Sequence, residues 1–252
     1  MQLIAKPLKS CLSVVIPFYN EEDNIDASLN AALAYLRARF ADFEIIAVDD
    51  ASTDQTPVKA RSWQAYDRRV KIVTMPRNTR YAGALKAGLA AATKEYVFYT
   101  DGDCPIDYED IDRALALTDR CDVVIGYRLN RDREALRRKL FTWGYRLILR
   151  LLLKMKFRDV NFSFKLFRRR DLRKLELQST GSFIDAEILY RLQRMGCRIR
   201  EIPVQYHSRR GGRSTLASLA IIRRVLREMA VFWRQNRPRR TSPLTEGRAA
   251  LG

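Results

Sequence analysis

Residues 12–22 read LSVVIPFYNEE. From Leu12 to Pro17 the run is β-branched and apolar, the pattern of a strand covered on both faces, and it stops at the polar cluster Tyr19, Asn20, Glu21 and Glu22. Similar runs recur at Glu44–Val48, Val70–Thr74, Tyr96–Thr100 and Asp122–Gly126. Between them apolar residues fall at helical spacing, as in Ile25, Leu29, Leu33 and Leu36, and again in Leu85, Leu89 and Ala92. Strands alternating with helices predict an α/β fold around a mostly parallel sheet with right-handed crossovers. Sheets of that kind bind ligands outside the carboxyl ends of their strands, so the residues after each strand carry the functional reading.

The whole chain has 252 residues, 47% of them apolar, enough to bury a core and too many for a mostly disordered chain. Charge is divided unevenly. Residues 1–126 hold 15 basic and 19 acidic side chains, and residues 127–252 hold 32 and 10, so the halves carry −4 and +22. That polarity predicts an anionic partner for the second half, nucleic acid or an acidic membrane surface. The basic residues there interleave with Leu, Ile and Phe at helical spacing and match no recognition motif, which argues against nucleic acid. Four cysteines without Cys-x-x-Cys spacing argue against a zinc site or a disulfide framework and fit a reducing compartment. One histidine, His207, excludes multi-histidine metal centres and leaves a Ser-His-Asp triad improbable. No run reaches the roughly 18 apolar residues of a spanning helix, and the N-terminus lacks a signal-peptide pattern. The expected location is the cytoplasmic side, peripheral to the membrane.

The second half is less regular. Residues 134–157 read as one amphipathic helix with Arg138, Arg146, Arg150 and Lys154 at multiples of four, and Leu140, Phe141, Trp143, Leu147, Leu151, Leu152 and Met155 filling the rest. Such a helix can lie in the headgroup boundary with its cations on anionic lipid; packing on the core is the alternative. A strand over Asn161–Phe167, a helix over Ser182–Met195 and a strand over Arg198–Tyr206 follow. A last amphipathic helix over 216–236 would turn Leu219, Ile222, Leu226, Met229 and Trp233 to one side, and 237–252 reads as a disordered tail.

Three strand ends carry more polar residues than structure alone requires: Pro17–Glu22, Val48–Asp54 and Tyr99–Asp103, the last ending in Asp101-Gly102-Asp103. In a parallel sheet these carboxylates converge on one rim. Clustered like charges repel unless a cation joins them, which predicts a divalent ion, magnesium or manganese, on Asp101 or Asp103 and shared with a phosphate oxygen. Asp49, Asp50 and Asp54 can alternatively cap the next helix.

Four segments, SVVIPFYNEEDNI, IIAVDDASTDQT, YTDGDC and SFIDAEILYRLQRMGCRIREIPVQYHSRRGGRST, stand in an order and spacing that resemble the family 2 glycosyltransferases of the GT-A fold. Within that family the likeness is to the polyprenyl-phosphate, dolichyl-phosphate mannose synthase-like group, and it covers about residues 12–215; the whole domain is taken as 10–215. The resemblance implies an inverting transfer of a sugar from a nucleotide-sugar to a polyprenyl phosphate. It further implies that Pro17, Tyr19, Glu21 and one or both of Asp49 and Asp50 hold the nucleoside, that Asp101 and Asp103 grip the diphosphate through the metal, and that Arg209 adds a phosphate contact. In the related group Arg128, Arg138 and Thr142 match positions that clamp the acceptor phosphate. The group often places Gln two residues past the second aspartate, where this chain has Pro105, so Asp107, water or His207 must supply the third ligand.

A lipid phosphate is already largely ionised at neutral pH and needs cations more than a base. If the acceptor is instead the hydroxyl of a saccharide or other soluble molecule, Asp185 is the candidate base; its bland reading is a carboxylate favoured by a helix N-terminus. Many relatives carry transmembrane helices beyond this region, so peripheral binding or a membrane-protein partner is expected.

Overall fold

The computed structural model describes residues 10–103, 106–129, 136–206 and 219–236, with side chains omitted for 136–141 and 219–224. Strand β1 (Leu12–Phe18) pairs in parallel with β2 (Phe43–Asp49) and β4 (Tyr96–Tyr99), and β2 pairs in parallel with β3 (Val70–Thr74). β2 is buried at every position, as a strand covered by helices on both faces must be. Further along, β5 (Val123–Arg128) pairs in parallel with β7 (Ile199–Val204), and the sheet order is β3-β2-β1-β4-β6-β5-β7. The mostly parallel α/β architecture stands as expected.

Odd and even residues of β1 feed two separate cores. Leu12, Val14 and Ile16 meet helices α1 (Ile25–Arg39), α2 (Thr56–Tyr66) and α4 (Asp110–Leu115) on one face. Val15 meets α3 (Arg80–Ala91), α5 (Leu136–Leu153), α7 (Ile184–Arg194) and α8 (Leu219–Asn236) on the other. α1 buries Ile25, Ser28, Leu29, Ala32, Leu33 and Leu36, the three-and-four spacing of a helix face; burial of each large aliphatic side chain contributes about 1.5–3 kcal/mol. α3 comes close to the sheet because Gly88 has no side chain: a Cβ there would sit 2.4 Å from Val15 and 2.9 Å from Val48.

Several expectations need correction. The segment Asn161–Phe167 is not all strand: β6 spans only Lys165–Arg168 and inserts antiparallel between β4 and β5. The helix expected to reach Phe157 ends at Leu153, because Lys154 takes a left-handed φ of 54° and breaks the helical hydrogen-bond run. In α8, Phe232 joins Met229 in the core against Phe183 and Tyr190, whereas Leu226 is exposed. Short helices α4 and α6 (Arg169–Leu172) carried no expectation, being too brief for a periodic signal. The tail 237–252 and the start of the 134–157 segment lie outside the described residues.

Candidate nucleotide-sugar site

β1 and β2 end side by side, Phe18 opposite Asp49, and the loops that follow are stitched together. Asp50 N–H donates to the Phe18 carbonyl at 3.0 Å. Asn20 N–H donates to Ser52 Oγ at 3.0 Å while Thr53 N–H donates back to Asn20 Oδ1 at 2.8 Å. Glu21 N–H donates to Thr56 Oγ1 at 2.9 Å, and Gln55 N–H to Glu22 Oε2 at 2.9 Å. Asn20 and Ala51, at φ 53° and 58°, make the tight turns that allow this reciprocity. The result is a rigid cradle beyond the strand ends.

Of the residues expected to hold a nucleoside, Pro17 and Glu21 are half-buried and Tyr19 is 46% exposed at the mouth of the cradle. Asp49 and Asp50 are both buried. Asp49 Oδ1 accepts from Ser52 N–H at 3.0 Å. Asp50 Oδ1 accepts from Thr79 N–H at 2.7 Å and Thr79 Oγ–H at 2.6 Å, tying the β2 end to the start of α3. Asp54 does cap: its Oδ1 accepts from Thr56 N–H at 2.9 Å in the first turn of α2.

The Asp101-Gly102-Asp103 turn follows β4, the other neighbour of β1. Gly102 is packed against Phe18, where an added Cβ would lie 2.6 Å from the ring and 3.0 Å from the Pro17 carbonyl. Phe18 therefore contacts both the Asp50 backbone and the acidic turn, which puts Asp50 and Asp101 on one rim. Burial and the neighbouring Asp103 charge raise the Asp101 pKa to about 6; the Ser163 hydroxyl pulls it down, Asp185 adds to the rise and Lys165 opposes it. Asp101 beside Asp103 is a donor pair whose mutual repulsion a divalent cation would relieve, and carboxylate oxygens suit magnesium or manganese. Among the described residues no group of three His, Cys, Asp or Glu side chains stands close enough to hold a metal, and Asp107 is exposed. His207, Arg209 and Pro105 lie outside the described residues, as does the side chain of Arg138.

The remaining expected residues sit deeper or farther along the sheet. Asp185, in the first turn of α7, is buried and accepts from Lys165 Nζ at 2.7 Å and from the Tyr99 hydroxyl. Arg128, at the end of β5, is bound by Asp159 at 2.8 and 3.2 Å and lies over the Phe162 and Tyr206 rings. Its guanidinium is thus oriented and partly neutralised, an arrangement the spacing of the chain did not reveal. Thr142 is half-buried on α5. Lys165 and Tyr99 escaped the sequence reading. The available signal was a lysine inside the apolar run Phe162–Phe167, where a charge requires a buried partner.

A sheet of this order, with carboxylates from three strand ends and a stitched cradle beside them, is the GT-A class of nucleotide-diphospho-sugar transferase fold. The chain belongs to glycosyl transferase family 2, whose family model matches residues 13–176. It is similar to the dodecaprenyl-phosphate galacturonate synthase of Rhizobium johnstonii, 28% identical over 226 residues, covering 88% of this chain and 66% of that protein. It is also similar to the dolichyl-phosphate beta-glucosyltransferase of Homo sapiens, 29% identical over 218 residues, covering 77% and 67%. The chain thus spans about two thirds of the length of these relatives. In fold it is similar to glucosyl-3-phosphoglycerate synthase from Mycobacterium tuberculosis, solved with Mn2+ and uridine diphosphate: TM-score 0.70, 19% identity, 88% of this chain and 80% of that one. No helix among the described residues is long and apolar enough to cross a membrane.

Proposed function

We propose that this chain transfers a sugar from a nucleotide-sugar to the phosphate of a polyprenyl lipid at a membrane surface. The reading rests on one observation above all, the shared position of Asp50 and Asp101 around Phe18. It is supported by two relatives whose names specify dodecaprenyl and dolichyl phosphate. In this account Tyr19, Glu21, Asp49 and the stitched loops receive the nucleoside. Asp101 and Asp103 hold the diphosphate end with Mg2+ or Mn2+, and Arg209 adds a contact from the closing segment. A cation bound there supplies neutralisation of the negative charge that develops on the leaving nucleoside diphosphate.

The acceptor phosphate oxygen attacks the anomeric carbon as the bond to the diphosphate breaks, and a single displacement inverts that carbon. The attacking group is already anionic, so no proton need be removed. Arg138 with Thr142 meets the acceptor phosphate, and Arg128 completes the contact with its orientation set by Asp159. Access to a lipid follows from the outer face of α5. Trp143, Leu147 and Leu151 are 62%, 39% and 69% exposed, and Arg146, Arg150 and Lys154 are exposed beside them. Exposed apolar residues at four-residue spacing flanked by cations suit an anionic headgroup boundary, and favour a lipid acceptor over a soluble saccharide. A membrane-protein partner would act by the same surface.

The deciding experiment incubates the purified protein with labelled nucleotide-sugars, Mn2+ or Mg2+, and polyprenyl phosphate. Metal-dependent passage of label into the organic phase is the expected result; label found only in water-soluble saccharide overturns the lipid reading.

A further inference from the structure

β7 stands last in the sheet order, so among the described strands nothing pairs with its outer edge. Against its first half lies a cleft of about 380 Å³, lined by Tyr127 of β5, by the segment 156–158 that follows α5, and by Ile199, Arg200 and Glu201. That volume falls at the lower end of the roughly 300–1,000 Å³ of small-ligand sites. Three lining side chains, Lys156, Arg158 and Arg200, are cationic, and Glu201 is the acidic one. Arg158 N–H donates to Glu201 Oε1 at 2.7 Å, which ties the segment to β7, and the Arg158 guanidinium lies 4.6 Å from the centre of the Tyr127 ring. Lys156 and Arg200 are exposed, and among the described residues neither pairs with a carboxylate. One carboxylate offsets at most one of three positive charges, so the cleft stays cationic. A guanidinium stacked on an aromatic ring keeps its fork of N–H donors for an anionic oxygen group, phosphate above all.

The cleft has neighbours on two sides. Tyr127 precedes Arg128 and Arg158 precedes Asp159, and Arg128 and Asp159 form the ion pair at 2.8 Å already described. Two of its walls are thus continuous with the arginine assigned to the acceptor phosphate. In the other direction Lys156 comes four residues after the exposed Leu152 of α5, so no more than about 14 Å of chain separates them. Cations a short reach from exposed apolar side chains match a molecule that joins a phosphate to an acyl chain, and match a free anion less well.

We infer that this cleft binds the phosphate of an anionic phospholipid headgroup and so seats the protein on the bilayer beside its acceptor clamp. The inference rests on the membrane-surface part of the reading above and goes beyond it: the outer face of α5 supplies apolar adhesion, whereas the cleft selects for headgroup charge.

The test titrates the full chain by calorimetry with dihexanoyl phosphatidylglycerol below its micelle concentration, with dihexanoyl phosphatidylcholine and with inorganic phosphate. Phosphatidylglycerol should bind about tenfold more tightly than either of the others. Lys156→Gln combined with Arg200→Gln should weaken that binding by about tenfold, the worth of a hydrogen bond to a charged group. Arg170→Gln combined with Arg173→Gln removes the same charge from exposed positions elsewhere and should leave it unchanged. Both double variants should transfer sugar to a water-soluble prenyl phosphate at the wild-type rate. Equal weakening in the two double variants, or equal affinity for phosphatidylcholine, overturns the inference, and inorganic phosphate bound as tightly as phosphatidylglycerol overturns the lipid as its source. A wild type that binds phosphatidylglycerol yet passes no label to prenyl phosphate overturns the transfer reading alone. One that passes label yet binds no phosphatidylglycerol overturns this inference alone.

Discussion

Gly102 lies against Phe18 so closely that a methyl group on its α-carbon would come within 2.6 Å of the aromatic ring. The acidic turn after β4 is thereby seated on the end of β1, beside the cradle that Phe18 also braces through its carbonyl. Gly102→Ala should push Asp101 and Asp103 away from that seat. The expected outcome is a fall in transfer of at least about tenfold with an overpacking cost of about 1–3 kcal/mol, read from turnover and from denaturant unfolding.

Asp101→Asn removes one of two crowded, half-buried carboxylates. Because burial and Asp103 already disfavour its charge, the apo protein should be as stable as wild type or slightly more so. The cost should appear only with metal. Mn2+ should raise the melting temperature of wild type and leave that of Asp101→Asn or Asp103→Asn unmoved, and EDTA should abolish transfer by wild type.

Glu44 connects stability to pH at the opposite end of the sheet. Burial disfavours its charge, but donors from Lys71 at 2.5 Å, Ser13 at 2.6 Å and Thr93 N–H at 2.6 Å outweigh that and hold its pKa at about 2, below the ordinary 4.5. A group whose folded pKa is depressed stabilises above its unfolded value and loses that contribution as pH falls. The contribution, of order 3 kcal/mol, should be present above about pH 4.5 and vanish towards pH 2. Glu44→Gln should flatten this part of the stability curve, measured by urea unfolding across pH.

The outer face of α5 can be changed without disturbing the core, since Tyr145, Leu149 and Leu153 make the inward contacts. Replacing Trp143, Leu147 and Leu151 together by Ser should leave the melting temperature within a few degrees of wild type. It should release the protein from anionic liposomes in a sedimentation assay, while transfer to a short-chain, water-soluble prenyl phosphate persists. Unchanged sedimentation would remove lipid docking through this face.

Arg128→Ala and Arg138→Ala should separate in their effects. Removing Arg128 takes from Asp159, which is 3% exposed, its ion-pair partner at 2.8 Å and should destabilise the fold as well as weaken acceptor use. Asp159→Asn added to Arg128→Ala should recover part of the stability but not the activity. Arg138→Ala should raise the acceptor KM, read from transfer rates at varied acceptor concentration.

The continuous apolar runs of β1 and β2, the apolar spacing of α1 and the polar clusters after three strands were all legible in the chain, because each depends on side chains a few residues apart. That was enough to infer the parallel core and to place Asp50 and Asp101 on one rim. Asp54 as a cap was legible for the same local reason. What lay beyond it were the pairings across the fold: Asp159 on Arg128, Thr79 on Asp50, and Asp185 between Lys165 and Tyr99. The first and the last of these depend on β6 entering antiparallel between β4 and β5, and the second on α3 packing against the end of β2, choices made by which elements meet and not by any residue's neighbours in the chain. Local chemistry names the groups available at a strand end, and long-range register decides which of them remain available to a ligand.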